Sequence, residues 1–243
     1  MSSIALSEAW QPDPGGVGEP GEDAHCWLVD VDEPAATQAE ETLSSDERTR
    51  AAKFRFDIHR SRFVAARSAL RKILGRYLKQ TPASIRFAYG EQGKPFLESG
   101  GVGFNVSHSG GYALIAVTSG VEVGIDIERV NPERSDEPIA RRFFASEEAD
   151  RLAALPAEQR VPSFFRCWTR KEAYIKAVGG GLSVGLSSFT VSFAPGEPAA
   201  LLSVRGGASE AARWSMYEIP APKGYEASLA IEGRPNALRL FRV

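Results

Sequence analysis

From Phe63 onward apolar residues return at three- and four-residue intervals, at Ala66, Leu70, Ile73, Leu74 and Tyr77. That spacing predicts a helix with one buried face. The run Ser44-Ser45-Asp46-Glu47 offers a cap and first-turn acids, so the helical pattern starts there and continues to Leu78, with a break near Asp57. Strand character precedes it from Trp27 to Asp32, closed by Pro34. Two further strands, Phe104 to Ser109 and Tyr112 to Val117, are joined through Gly110 and Gly111. In Gly124-Ile125-Asp126-Ile127-Glu128 apolar and acidic residues alternate, which puts Asp126 and Glu128 on one face of a strand. Arg141 to Leu155 predicts a helix with Ser146 at its cap and Glu147 and Glu148 as helix-terminal charges. A last helix is predicted from Trp168, with Trp168, Glu172 and Lys176 recurring every four residues until the glycines at 179–181 stop it. Strands follow at Ser188–Ser192, Leu201–Val204 and Arg213–Ile219, and Leu238 to Val243 would close a sheet.

The second half restates the first in the same order. Val29-Asp30-Val31-Asp32 matches Ile125-Asp126-Ile127-Glu128, Arg67 through Gly75 matches Lys171 through Gly179, and Gly111-Tyr112 matches Gly224-Tyr225. This predicts an α+β fold built from two pseudo-symmetric α+β halves, with a ligand in the cleft between them. The expected division is a proline- and glycine-rich lead-in at residues 1–24, a basic half at 25–119 and an acidic half at 120–243. On the repeat alignment Ser68 stands where the second half has Glu172, so the acids belong to the second half alone.

Composition narrows the function classes. The chain has 243 residues, and its 29 basic and 31 acidic side chains nearly cancel, which gives no overall field for nucleic acid or an anionic membrane. Cys26 and Cys167 have no metal or disulfide spacing and sit beside tryptophans, as core thiols do. With no signal peptide or membrane-length apolar run, a cytoplasmic location is expected.

The candidate chemistry is local. Glu172 and Lys176 alone are an ordinary helix-stabilising pair. Beside Asp126 and Glu128 they become three carboxylates and a lysine, a donor set suited to magnesium, which takes oxygen ligands and shares them with substrate phosphates. In the first half Arg60 and Arg67 lie two helical turns apart and can converge on a phosphate, or form a solvated basic surface with Arg71. Lys94, in the turn Gly93-Lys94-Pro95, can approach a ligand or belong to a plain hairpin. Ser107 and His108 sit near a strand end where a ligand can reach them; as strand neighbours on opposite faces, and without a GxSxG motif, they do not make a hydrolytic pair. The residues point to a magnesium-assisted reaction at a pyrophosphate.

Taken together, Gly93-Lys94-Pro95, the run Phe104 to Ser109, Gly124 to Glu128 and the run Trp168 to Leu182 resemble the Sfp-type 4′-phosphopantetheinyl transferases, in the subgroup with a WxxKEA motif. The resemblance extends from about Leu43 to Leu186. It implies transfer of the 4′-phosphopantetheine arm of coenzyme A to a serine of an acyl or peptidyl carrier protein, releasing adenosine 3′,5′-bisphosphate. The carrier could serve fatty acid, polyketide or nonribosomal peptide synthesis. By position, Asp126, Glu128 and Glu172 would hold magnesium with the pyrophosphate. Glu172, directly or through a water, would be the base, and Lys176 would steady the pyrophosphate. Gly93, Lys94 and Pro95 would border the adenine, Ser107 and His108 would contact phosphates, and Arg60 and Arg67 would bind the nucleotide end. Glu47 stands where some members carry a basic residue, with Arg50 as the substitute. Two rivals use the same residues: a magnesium-dependent nucleotide pyrophosphohydrolase, and a non-catalytic module that binds coenzyme A or a carrier.

Overall fold

The structure is a computed structural model and describes residues 10–33, 40–134 and 137–243. Pro34 and the lead-in before Trp10 lie outside the described residues. In chain order come β1 (Gln11–Pro12), β2 (Ala24–Asp30), α1 (Ser45–Ala51), α2 (Asp57–Leu78), β3 (Phe87–Tyr89), β4 (Pro95–Leu97), β5 (Gly103–Ser109) and β6 (Tyr112–Thr118). These are followed by β7 (Val123–Arg129), α3 (Glu137–Phe143), α4 (Ser146–Ala154), α5 (Ala157–Val178), β8 (Thr190–Val191), β9 (Leu201–Ser203), α6 (Gly207–Ala211), β10 (Trp214–Glu218), β11 (Tyr225–Glu232) and β12 (Leu238–Arg242). The chain divides into two units, one of residues 1–88, 95–120 and 235–243, the other of 89–94 and 121–234. The halves expected from sequence are therefore crossed twice. The turn 89–94 belongs to the second unit, and β12 runs parallel between β1 and β2 in the first unit's sheet. Part of the lead-in is also tied down, since Asp13 forms a two-pronged ion pair with Arg76 at 2.6 and 2.8 Å.

The first unit carries a five-stranded sheet in the order β1-β12-β2-β6-β5. Every residue picked out by helical spacing, from Phe63 to Tyr77, is buried, and Leu70, Ile73 and Leu74 pack with Trp27, Val29 and Ile115 of the sheet. The helical pattern breaks at residues 52–56, and α2 ends with Lys79 in the left-handed region at φ 53°. The reversal is closed by a bond from Gln80 N–H to Gly75 O at 3.0 Å, and a Cβ on Gly75 would lie 2.7 Å from Gln80 O. Glycine is required there by the close approach.

The second unit carries an antiparallel sheet in the order β10-β11-β7, with α5 packed along β7 and β11. Its core joins Phe164, Tyr174, Phe189, Phe193, Trp214 and Met216. The helix expected from Arg141 to Leu155 is two helices broken at Phe144-Ala145, and Ser146 is the first helical residue, not the cap. The cause is Glu148, whose Oε2 accepts the Ala145 N–H at 3.1 Å and so starts a new helix there.

Both units repeat one device, and its register corrects the alignment drawn from sequence. α2 and α5 each span 22 residues and end on a left-handed residue, Lys79 and Gly179. This pairs Arg71 with Lys171, Lys72 with Glu172 and Arg76 with Lys176, one helical turn away from the match that set Ser68 against Glu172. The strands shift too. Counting from Tyr112 and Tyr225, the residue opposite Ile115 is Trp27 and the residue opposite Ser228 is Asp126. Trp27 is thus the counterpart of Asp126. In the first unit buried Arg71 meets Glu47 at 2.6 Å and donates to Pro82 O and Ile85 O; in the second, buried Lys171 meets Glu148 at 2.6 Å and donates to Leu186 O and Phe189 O. Glu47 and Glu148 each also accept the backbone N–H at the start of their own helix, from Ser44 and Ala145. An ion pair so supplied with hydrogen bonds can remain charged in a core.

Candidate functional site

The site is built on β7 and α5 of the second unit. Gly124, Asp126 and Glu128 lie on the β7 face that α5 covers. A Cβ at Gly124 would stand 2.0 Å from Ala173 O and 2.4 Å from Ala177 N, so only glycine lets helix and strand approach this closely. Gly124→Ala is expected to destabilise the fold by about 1–3 kcal/mol through overpacking, read as a lower urea midpoint at unchanged slope.

That approach brings Asp126 to the helix. Its side chain is 3% exposed, and Lys176 Nζ donates to its Oδ1 at 2.6 Å and to Ile125 O at 3.5 Å. Glu172, one turn earlier on α5, is half-buried. Burial raises its carboxyl above the usual glutamate range, the charge of Asp126 raises it further, and Lys176 opposes both. The structure therefore brings Asp126, Glu172 and Lys176 together as an acidic pair beside a lysine. It does not form the expected three-carboxylate grip. Among the described residues no three His, Cys, Asp or Glu side chains make a group that could hold a metal ion. Glu128 shares the strand face and is half-buried, opposite Glu226 in the sheet register.

The remaining predicted residues have definite places. Gly93 has φ 80° and closes the β3–β4 hairpin, with Gly90 N–H donating to Lys94 O at 2.9 Å; Pro95 begins β4. Lys94 Nζ donates to Glu122 at 2.5 Å and to Ala177 O at 2.7 Å, so its charge is spent within the protein. On β5, at the edge of the first unit's sheet, Ser107 is buried and His108 exposed, on opposite faces. Arg60 pairs with Glu40 at 2.7 Å and Arg67 with Glu47 at 2.6 Å, so both arginines are ion-paired inside the first unit. Arg67 also lies over Phe87, with 4.7 Å from its guanidinium carbon to the ring centre. Glu47 is a structural anion bound by Arg67 and Arg71.

Sequence reading missed Lys171 as a core cation. Glu148 is the helix-terminal charge expected from sequence, and beyond that it is buried, accepts Val191 N–H at 2.8 Å and neutralises Lys171. The signal available in sequence was the recurrence of one pattern: a glutamate three residues into a short helix, then a cation on the long helix that follows. The two cysteines are free and buried, and burial pushes the Cys26 thiol up to about 12. No helix among the described residues is long and apolar enough to cross a membrane.

The chain is similar to known proteins. Residues 122–230 match the model of the 4′-phosphopantetheinyl transferase superfamily, and residues 32–120 match the model of the 4′-phosphopantetheinyl transferase N-terminal domain. The 4′-phosphopantetheinyl transferase HetI of Nostoc sp. is 38% identical over 234 residues, covering 94% of this chain and 95% of the relative. The 4′-phosphopantetheinyl transferase Sfp of Bacillus subtilis is 34% identical over 152 residues, covering 61% of this chain and 66% of the relative. The 4′-phosphopantetheinyl transferase psf-1 of Bacillus pumilus is 39% identical over 149 residues, covering 61% and 63%. With the acidic pair on β7 and α5 lying inside the matched segment, the chain belongs to the 4′-phosphopantetheinyl transferase superfamily.

Proposed function

We propose that this enzyme transfers the 4′-phosphopantetheine arm of coenzyme A to a serine hydroxyl of an acyl or peptidyl carrier protein, releasing adenosine 3′,5′-bisphosphate. The observation that carries the reading is the half-buried Glu172 with its raised carboxyl, set one turn from Lys176 and against Asp126. A carboxylate raised toward neutral pH is a better proton acceptor than an ordinary exposed one. Glu172 accepts the proton of the carrier serine as its oxygen attacks the phosphorus bearing the pantetheine arm. The bond to the bisphosphate then breaks, and Lys176 offsets the charge left on the departing oxygens.

The donor set fits magnesium. Burial and the neighbouring Asp126 disfavour the ionised form of Glu172, and a hard divalent cation relieves that cost while leaving positions for phosphates and water. Asp126 and Glu172 would hold it, with Glu128 as the further carboxylate on the same strand face. Bound there, magnesium would neutralise charge on the pyrophosphate. On the first unit we assign coenzyme A contacts to Arg60, Arg67, Ser107 and His108, and on the turn to the backbone of Gly93, Lys94 and Pro95. The enzyme works as a cytoplasmic monomer, with no nucleic acid or membrane partner.

The test mixes the protein with coenzyme A and magnesium, with and without an apo carrier. Bisphosphate release that requires the carrier, together with one added phosphopantetheine group on the carrier, is expected. Release without carrier means water is the nucleophile and contradicts the proposal. Binding with no release in either arm contradicts it as well.

A further inference from the structure

The Gly93-Lys94-Pro95 turn does something its resemblance to an adenine-binding motif does not require. The Lys94 ammonium bridges Glu122, the residue just before β7, and Ala177 O, in the last turn of α5. Those two elements carry Asp126 and Glu172. The final carbonyls of a helix have no partner within it, and a cation there also meets the negative end of its dipole. The turn is fitted closely to the end of the helix. A Cβ at Gly179 would stand 3.3 Å from Lys94 Cδ, and one at Gly181 would stand 2.9 Å from Gln92 Cβ. Both glycines also have positive φ, 70° and 53°. The lysine stem thus lies along the glycine run with its charge on two fixed acceptors, and the side chain is 19% exposed.

Resting on the function proposed above, we propose that Lys94 is a positioning residue: its side chain clamps the end of α5 to the start of β7 and so sets the spacing of Glu172 and Lys176 from Asp126. Gly124 lets helix and strand close up, and Lys94 holds them there. The nucleotide is left to the backbone of the turn.

Two readouts on the full-length protein test this. In steady-state transfer, Lys94→Met is expected to lower kcat by about 10- to 100-fold, because small misplacements of reacting groups are costly, with KM for coenzyme A within about twofold. Lys94→Arg, which keeps the cation, is expected to recover most of kcat. Glu122→Gln removes the charge from one leg of the clamp at an exposed position and is expected to show a weaker form of the same split. In hydrogen exchange without substrate, Lys94→Met is expected to speed exchange of the amides of residues 175–181 while the first unit stays unchanged. A raised KM for coenzyme A at unchanged kcat would place the ammonium on the nucleotide and overturn the clamp, as would unchanged exchange in Lys94→Met. If the wild-type protein transfers nothing, the functional reading fails, while the exchange arm still decides the clamp on its own.

Discussion

Glu172→Gln is expected to lower phosphopantetheine transfer by about 10²–10⁴-fold, the usual contribution of a positioned general base, and to leave the protein folded. Its carboxyl is raised by burial and then by Asp126, so the folded state binds this proton more tightly than the unfolded chain does. Two signs follow. For activity, the base is competent only when ionised, and a magnesium ion held by Asp126 and Glu172 would favour that form. Replacing Lys176 by methionine removes a charge that opposes the shift, so in metal-free protein Glu172 should titrate at higher pH than in wild type. For stability, a raised carboxyl favours folding below its unfolded pKa, and that advantage is lost as pH rises through the folded value. In metal-free buffer Glu172→Gln should therefore match or exceed the wild-type urea midpoint at pH 8, with the difference vanishing at acid pH. A variant markedly less stable than wild type at pH 8 would show that the carboxylate serves the fold and not the reaction.

The largest expected loss of stability is at a different pair. Lys171→Met leaves Glu148 without its cation in a core position only 1% exposed and is expected to cost about 3–5 kcal/mol. Adding Glu148→Leu removes the orphaned charge and should recover part of the loss. Recovery should stay incomplete, because the Val191 and Ala145 N–H groups then lose their acceptor, at about 1–3 kcal/mol for each that is buried. The first unit predicts a smaller loss for Arg71→Met, because Arg67 still pairs with Glu47. Urea unfolding of the two singles and the double checks this. A double variant no more stable than Lys171→Met would mean that hydrogen bonds to Glu148, not the charge pairing, dominate the clasp.

Most of the fold could be read from spacing because each long helix hides one face. The apolar positions from Phe63 to Tyr77 and the glycine stop at 179 follow directly from local pattern and backbone freedom. Asp126 and Glu128 were placed on one face by simple alternation, and the structure brings Asp126 against the helix that carries Glu172. What the sequence hid was decided at long range. β12 inserts between β1 and β2, a pairing fixed by tertiary contacts that no local rule encodes. The break at Ala145 depends on Glu148 choosing the backbone of its own helix and Lys171 of another, so two individually ordinary charges become a buried clasp. For Lys94 the sequence offers a ligand contact or a plain hairpin and not the clamp, because its acceptors, Glu122 and Ala177, lie far along the chain. The repeat was visible, but its strand and helix registers needed the hydrogen-bond ladder and helix ends to be set correctly.

The most direct test of the account compares wild-type protein and Glu172→Gln in one assay: intact mass of an apo carrier protein after incubation with coenzyme A and magnesium. The account predicts that wild type adds one phosphopantetheine group to the carrier serine and that Glu172→Gln, still folded, adds it at a small fraction of that rate. Equal modification by the two proteins would contradict it.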